Sequence, residues 1–250
     1  MSLNDQKNKY RALDDWFKTA QGQHVAEGIV ASIKPAQDRL QGNILLQMGM
    51  CGTHPWLNHL DYRRKWLLSP YLGACDASIM SSLRHLPFER NSIDCIIAPL
   101  TIEALGHYKN PLDELDRVLA PMGHMIFVGV NPMSIWGLCL WLGLTECFGG
   151  ELPSLMSSLI LKQSLLNRGY RQCLLETFYY IPPIKNPRGL KRLQFLNEMG
   201  KMITLTPAGF YCLIVQKHQY SGPDLIKSRK KQRVVLRQQQ VAGLARIKSR

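Results

Sequence analysis

Residues 92–130 read SIDCIIAPLTIEALGHYKNPLDELDRVLAPMGHMIFVGV, and their rhythm decides the fold class. Ser92 to Leu100 is a near-continuous apolar run of strand length. A strand covered by helices on both faces needs such a run, and that is the situation of parallel strands. From Pro111 to Leu119 the apolar positions take helical spacing, with Pro111 suited to a first turn and Pro121-Met122-Gly123 ending the segment. His124 to Val130, HMIFVGV, is a second buried strand. Strand, helix and strand in succession predict an α/β domain.

Working outward, ILLQMGMCG at residues 44–52 runs an apolar strand, Ile44 to Met48, into two glycines. The dinucleotide fingerprint G-x-G-x-x-G fails there, because Cys51 and His54 stand where glycines are required. On its own the stretch reads as a core strand with a glycine turn. Lys9 to Ala20 and His24 to Leu40 have helical spacing, with Trp16, Phe17, Val25, Ile29 and Ile33 as buried positions. Trp66 to Leu72 and Ala77 to Leu83 each suit a short strand or a turn of helix. Late in the chain come a helix at Leu155 to Asn167, a strand at Arg171 to Ile181, a helix near Arg188 to Met199 and a strand at Phe210 to Lys217. Two late strands without a standard crossover predict antiparallel neighbours at one sheet edge.

Between Arg117 and Glu146 the chain has no Asp, Glu, Lys or Arg. Gly123, Asn131, Pro132 and Ser134 interrupt the stretch, so a strand followed by a helix over Ser134 to Leu144 explains it better than a membrane span. That helix is expected to pack in the core, to cover an apolar substrate pocket or to touch a membrane surface.

The 250 residues are 46% apolar and 20% charged, an ordinary globular composition with chain enough for one large core. Seven scattered cysteines without a C-x-x-C argue for reduced thiols, and the N-terminal MSLNDQKNKYRALDDWF lacks the apolar centre of a signal peptide, so a cytoplasmic location is expected. Cys51, His54 and His59 lack a fourth ligand at metal spacing, and no metal site is predicted. Of the net charge of +13, a surplus of eight lies after Tyr220, where nine basic residues face the single acid Asp224. The expected organisation is a domain over residues 1–220, with N-terminal helices in 1–40 and an α/β core in 41–218, followed by a basic, disordered tail over 221–250. The tail is expected to make weak electrostatic contact with nucleic acid or an anionic membrane.

Residues 86–132 resemble class I S-adenosylmethionine-dependent methyltransferases of the methyltransferase 11 type. Leu86-Pro87-Phe88, Ser92-Ile93-Asp94, Arg117-Val118-Leu119 and Pro121-Met122-Gly123 fall in register with that family's pattern. LDDWFKTAQGQ at 13–23, ILLQMG at 44–49 and VNPMSIWGL at 130–138 look like a small group of bacterial methyltransferases without an established substrate. The resemblance implies a Rossmann-like class I methyltransferase fold: a seven-stranded, mostly parallel sheet with an antiparallel last strand and helices on both faces. It also implies S-adenosyl-L-methionine as cofactor, against Gln47, Gly49, Met50, Cys51 and Gly52 after the first strand, Asp76 after the second (with Asp61 as the other candidate), Ser82 and Leu83 near the adenine, and Pro99 and Leu100 after SIDCIIAPL. Glutamine stands at Gln47 where the family has an acid, and Cys51 where it has a glycine. If the loop forces Cys51 into a left-handed conformation, about 1 to 2 kcal/mol is lost.

Methyl transfer needs alignment and water exclusion, and a base only where the nucleophile starts protonated. Glu103, His107 and Tyr108 follow the carboxyl end of a central strand, where α/β sites form, and are the candidate catalytic residues. Glu103 suits either a position facing the sulfonium charge or an exposed helix surface, and His107 either a base or a surface histidine. The expected function is methylation of a small-molecule or lipid-like substrate. The alternative is a cofactor-free methyltransferase-like interaction protein.

Overall fold

The computed structural model describes residues 3–71, 77–82, 85–105, 111–145, 147–148, 153–184, 186–202 and 207–218. Two helices, α1 (Leu3–Lys18) and α2 (Ala20–Ile33), precede the sheet, with Thr19 capping α2 through a bond from Gly22 N. A 3₁₀ stretch at Lys34–Arg39 ends the helical run that the sequence predicts to reach Leu40. Strands β1 (Gln41–Met48), β2 (Asp61–Ser69) and β3 (Ile79–Met80) follow, then β4 (Ile93–Pro99), α3 (Thr101–Leu105), α4 (Pro111–Val118) and β5 (Leu119–Val130). The remainder is α5 (Ile135–Trp141), α6 (Ser158–Asn167), β6 (Tyr170–Phe178), α7 (Pro187–Leu193), α8 (Phe195–Met202) and β7 (Phe210–Lys217). The single helix expected near Arg188 to Met199 is thus two short ones.

The seven strands lie in the order β3-β2-β1-β4-β5-β7-β6, all parallel except β7, which runs antiparallel to both neighbours. Helices cover the sheet on both faces, and the central strands show it: Cys95 to Ala98, Met125 to Val128 and Phe210 to Val215 are buried without alternation. The chain leaves the sheet edge at β3 and re-enters on the other side of β1 as β4. That reversal opens a crevice between the carboxyl ends of β1 and β4, the place where sheets of this kind take ligands.

Three features of residues 86–130 turn out to hold the fold together. The Asp94 carboxylate accepts from Asn43 N and Ile44 N at 2.8 and 2.9 Å, fixing the start of β1 against β4. Glu114 accepts from Leu86 N, and its partner Arg117 donates to the Phe88 and Leu86 carbonyls at 2.9 Å each. Arg117 holds the Glu114 carboxyl below the usual carboxylate range. Pro121-Met122-Gly123 does not end a helix; it lies in an irregular stretch of β5, where Leu119 pairs with Ile93 and His124 with Cys95. A β-carbon on Gly123 would stand 2.9 Å from the Asp94 carbonyl oxygen, so the bulge needs a glycine.

Candidate active site crevice

The connection from β1 to β2 is short. Among the described residues it carries only a 3₁₀ turn at Pro55–His59, with Pro55 in its first positions. The loop after β1 is therefore braced from within. Gln47 is fully buried, its Nε2 donates to the Gly49 and Met50 carbonyls at 2.9 Å, and its Oε1 accepts from Trp56 Nε1 at 2.9 Å. A carboxylate could not donate those two bonds, which is a local reason for an amide at this position. Gly49, Cys51, Gly52 and His54 all take positive φ, at 83, 52, 69 and 38°. Cys51 is indeed left-handed, and its buried thiol is pushed well up by desolvation.

Helix α1 lies on this loop. Tyr10, Leu13, Asp14 and Phe17, spaced as one helical face, are all buried or nearly so. A β-carbon on Gly49 would sit 2.6 Å from Tyr10 Cε1, and one on Gly52 would sit 2.9 Å from Phe17 Cβ. Asp14 joins the elements: its Oδ1 accepts from Gly52 N at 2.8 Å, and its Oδ2 from Tyr71 Oη at 3.1 Å and Lys18 Nζ at 2.7 Å. Charge-assisted bonds of this kind are worth about 1.5 to 3 kcal/mol each. The two glycines thus admit a helix of the protein itself.

On the other wall, Leu100 follows β4 with φ of 50° and donates its N–H to the Val128 carbonyl at 2.8 Å. Glu103 follows in α3. It is fully buried, so the exposed-helix reading is corrected: α3 packs against β5 and α1 and turns this side chain inward. Its Oε1 accepts from Val130 N at 2.9 Å, while Oε2 has no hydrogen-bond partner among the described residues. Burial pushes its pKa up to about 8, against the opposing effect of the backbone bonds. The Tyr10 hydroxyl, also buried, is directed toward Thr101 without a well-formed hydrogen bond.

Of the other predicted residues, Met50 is buried with its carbonyl bonded to Gln47 and His54, and Pro99 closes β4. Ser82 lies just beyond β3, and its carbonyl accepts from His85 N. Asp76, Leu83, His107 and Tyr108 lie outside the described residues, as does the tail 221–250. Asp61 begins β2 and so lies at the amino edge, which removes it as a ribose-binding candidate. The carboxyl end of β2 is Ser69, whose hydroxyl donates to the Tyr71 carbonyl. Sequence reasoning missed Tyr10, Asp14 and Thr101. An acid in the middle of the apolar face of α1 was the available signal.

A cavity of about 620 Å³ adjoins this end of the sheet, lined by Trp16, Thr19, Gln21, Leu144, Cys147 and Ile184 among others. Trp16 stacks on Phe210 at 6.3 Å, and Phe210 pairs with Val130, the residue whose N–H holds Glu103.

Residues 57–127 match the methyltransferase-domain family model. Among solved structures, an S-adenosylmethionine-dependent methyltransferase from Mesorhizobium loti aligns with a TM-score of 0.52 at 14% identity, over 74% of this chain and 98% of that one. One from Archaeoglobus fulgidus gives 0.51 at 14%, over 77% and 94%. A Haloferax volcanii chain solved in complex with the Trm112 methyltransferase activator gives 0.55 at 13%, over 83% and 98%. Comparison with curated proteins gives no match. The chain has the fold of these S-adenosylmethionine-dependent methyltransferases, and the stretch that matches the methyltransferase-domain family model, residues 57–127, lies inside that fold.

Proposed function

We propose that the protein is an S-adenosylmethionine-dependent methyltransferase acting on a small-molecule or lipid-like substrate. The observation that carries this reading is Glu103, a fully buried carboxyl at the switch-point crevice with one oxygen unbonded among the described residues. Leaving such a group unsatisfied costs about 1 to 3 kcal/mol or more, and a cationic ligand beside it would remove that cost. S-adenosylmethionine, when bound, supplies a methyl group on a sulfonium cation. Toward it the chain offers Glu103 as counter-charge, Thr101 as a polar partner, and Gly49 and Gly52 as positions without side chains once Tyr10 and Phe17 move aside. Helix α1 would exclude water. The neighbouring cavity, within the usual 300 to 1,000 Å³ of ligand sites and walled largely by apolar side chains, suits a small or lipid-like acceptor.

One observation favours the second reading, a cofactor-free interaction protein. Tyr10 and Phe17 stand on the loop glycines, so ligand entry requires α1 to give way. Calorimetric titration with S-adenosylhomocysteine separates the two. The enzyme reading expects a dissociation constant at or below about 100 μM, roughly 5.5 kcal/mol. Absence of heat and of any thermal shift at saturating ligand, in both the parent and Tyr10→Ala, leaves the interaction protein standing.

A further inference from the structure

Helix α5 is apolar on both sides. Its inner side is core: Trp136 and Leu140 are buried, and Trp136 Nε1 donates to the Ile181 carbonyl at 2.8 Å. Its outer side and flanks, Met133, Ile135, Leu138, Trp141, Leu142 and Leu144, are exposed, Met133 at 81% and Trp141 at 70%. Leu138 and Trp141 also line a cavity of about 450 Å³ with Pro132, Pro153 and Leu155. Three residues beyond Leu155, α6 begins and presents exposed Leu159 and Ile160 in its first turn. An exposed apolar patch of this kind marks an interaction surface.

We propose that this face docks on an anionic lipid bilayer. The chain carries no charged residue from Val118 to Thr145, so nothing on α5 resists entry into the acyl boundary, and a tryptophan near the patch edge suits the headgroup level. No described helix is long and apolar enough to cross a membrane, so the contact is with the surface. Charge selects the occupant. A second copy of a chain with net charge +13 is repelled, whereas an anionic surface attracts it. The nine basic residues after Tyr220 supply the second of the two signals that stable surface attachment requires. The inference does not rest on cofactor binding.

The test is co-flotation of the full chain with vesicles of phosphatidylcholine containing phosphatidylserine, beside vesicles of phosphatidylcholine alone. The parent should float with the anionic vesicles, less so at high salt. The double variant Leu138→Asp/Trp141→Asp should lose at least about tenfold in partitioning while keeping its circular dichroism and melting temperature. Met133→Ser/Trp141→Ser, which adds no charge, should move in the same direction. Vesicle binding unchanged in both variants overturns the proposal and leaves binding to the tail alone. A parent that ignores vesicles but runs as a dimer that the variants dissociate also overturns it, because the face is then a self-interface.

Discussion

The ring of Tyr10 lies over Gly49 so closely that a β-carbon on the glycine would stand 2.6 Å from Cε1. The loop that follows β1 at the sheet's switch point is therefore roofed by a side chain from a helix that precedes the sheet. Its hydroxyl makes no well-formed hydrogen bond among the described residues, so packing holds the ring there. Tyr10→Ala should cost about 3 kcal/mol in chemical denaturation, as large buried aromatics do. In protein that remains folded it should also raise affinity for S-adenosylhomocysteine by about tenfold, 1.4 kcal/mol, because no ring has to be displaced. Lower affinity in the folded variant would mean that Tyr10 contacts the ligand directly.

Glu103 gives the fold a pH dependence of defined sign. Its folded pKa is raised to about 8 by burial, so the native state holds a proton there that the unfolded chain has already released. Stability from this group is complete below the unfolded carboxylate pKa and falls as pH rises toward 8. The full effect is on the order of 5 kcal/mol. Glu103→Gln keeps an acceptor for Val130 N and removes the titration, so the variant should equal the parent near pH 5 and exceed it in stability near pH 9. Denaturation midpoints across that range check it. A parent whose stability does not fall toward pH 9 sinks the assignment.

The strand and helix rhythm of residues 92–130 was legible because β4 and β5 are covered on both faces, which demands unbroken apolar runs. The family pattern was legible for a related reason. Asp94, Glu114 and Arg117 hold backbone groups of β1 and of the LPF segment, work that tolerates little variation in residue type. Such residues report the fold and leave the ligand open. The site was less legible, because its roof comes from α1, some forty residues before the loop it covers. Periodicity marks Tyr10, Leu13 and Phe17 as buried without naming what they bury against. The inward turn of Glu103 was likewise hidden, since a five-residue helix has too little pattern to fix its face.

If the Glu114–Arg117 pair is structural, its loss should separate stability from binding. Arg117→Ala removes the donors to two carbonyls and frees Glu114, which should cost about 2 kcal/mol. Partial solvent exposure of the pair keeps its contribution small. Dissociation constants for S-adenosylhomocysteine should stay within about twofold of the parent in folded protein. A selective loss of affinity at unchanged stability would move this pair into the binding machinery.

Gly49 can be tested against a second glycine that shares its backbone and lacks its neighbour. Gly49 and Gly143 have φ of 83 and 69°, so alanine at either bears the left-handed strain of about 1 to 2 kcal/mol. Among the described residues nothing lies within 4 Å of a β-carbon on Gly143, whereas one on Gly49 meets the Tyr10 ring. Overpacking of that kind adds about 1 to 3 kcal/mol. Gly143→Ala should therefore show the strain alone, and Gly49→Ala the strain plus the clash. In a Tyr10→Ala background the clash has no partner, and the excess should disappear as a coupling energy in a double-mutant cycle. Equal costs for the two alanines in the parent background would show that α1 does not rest on the loop in solution.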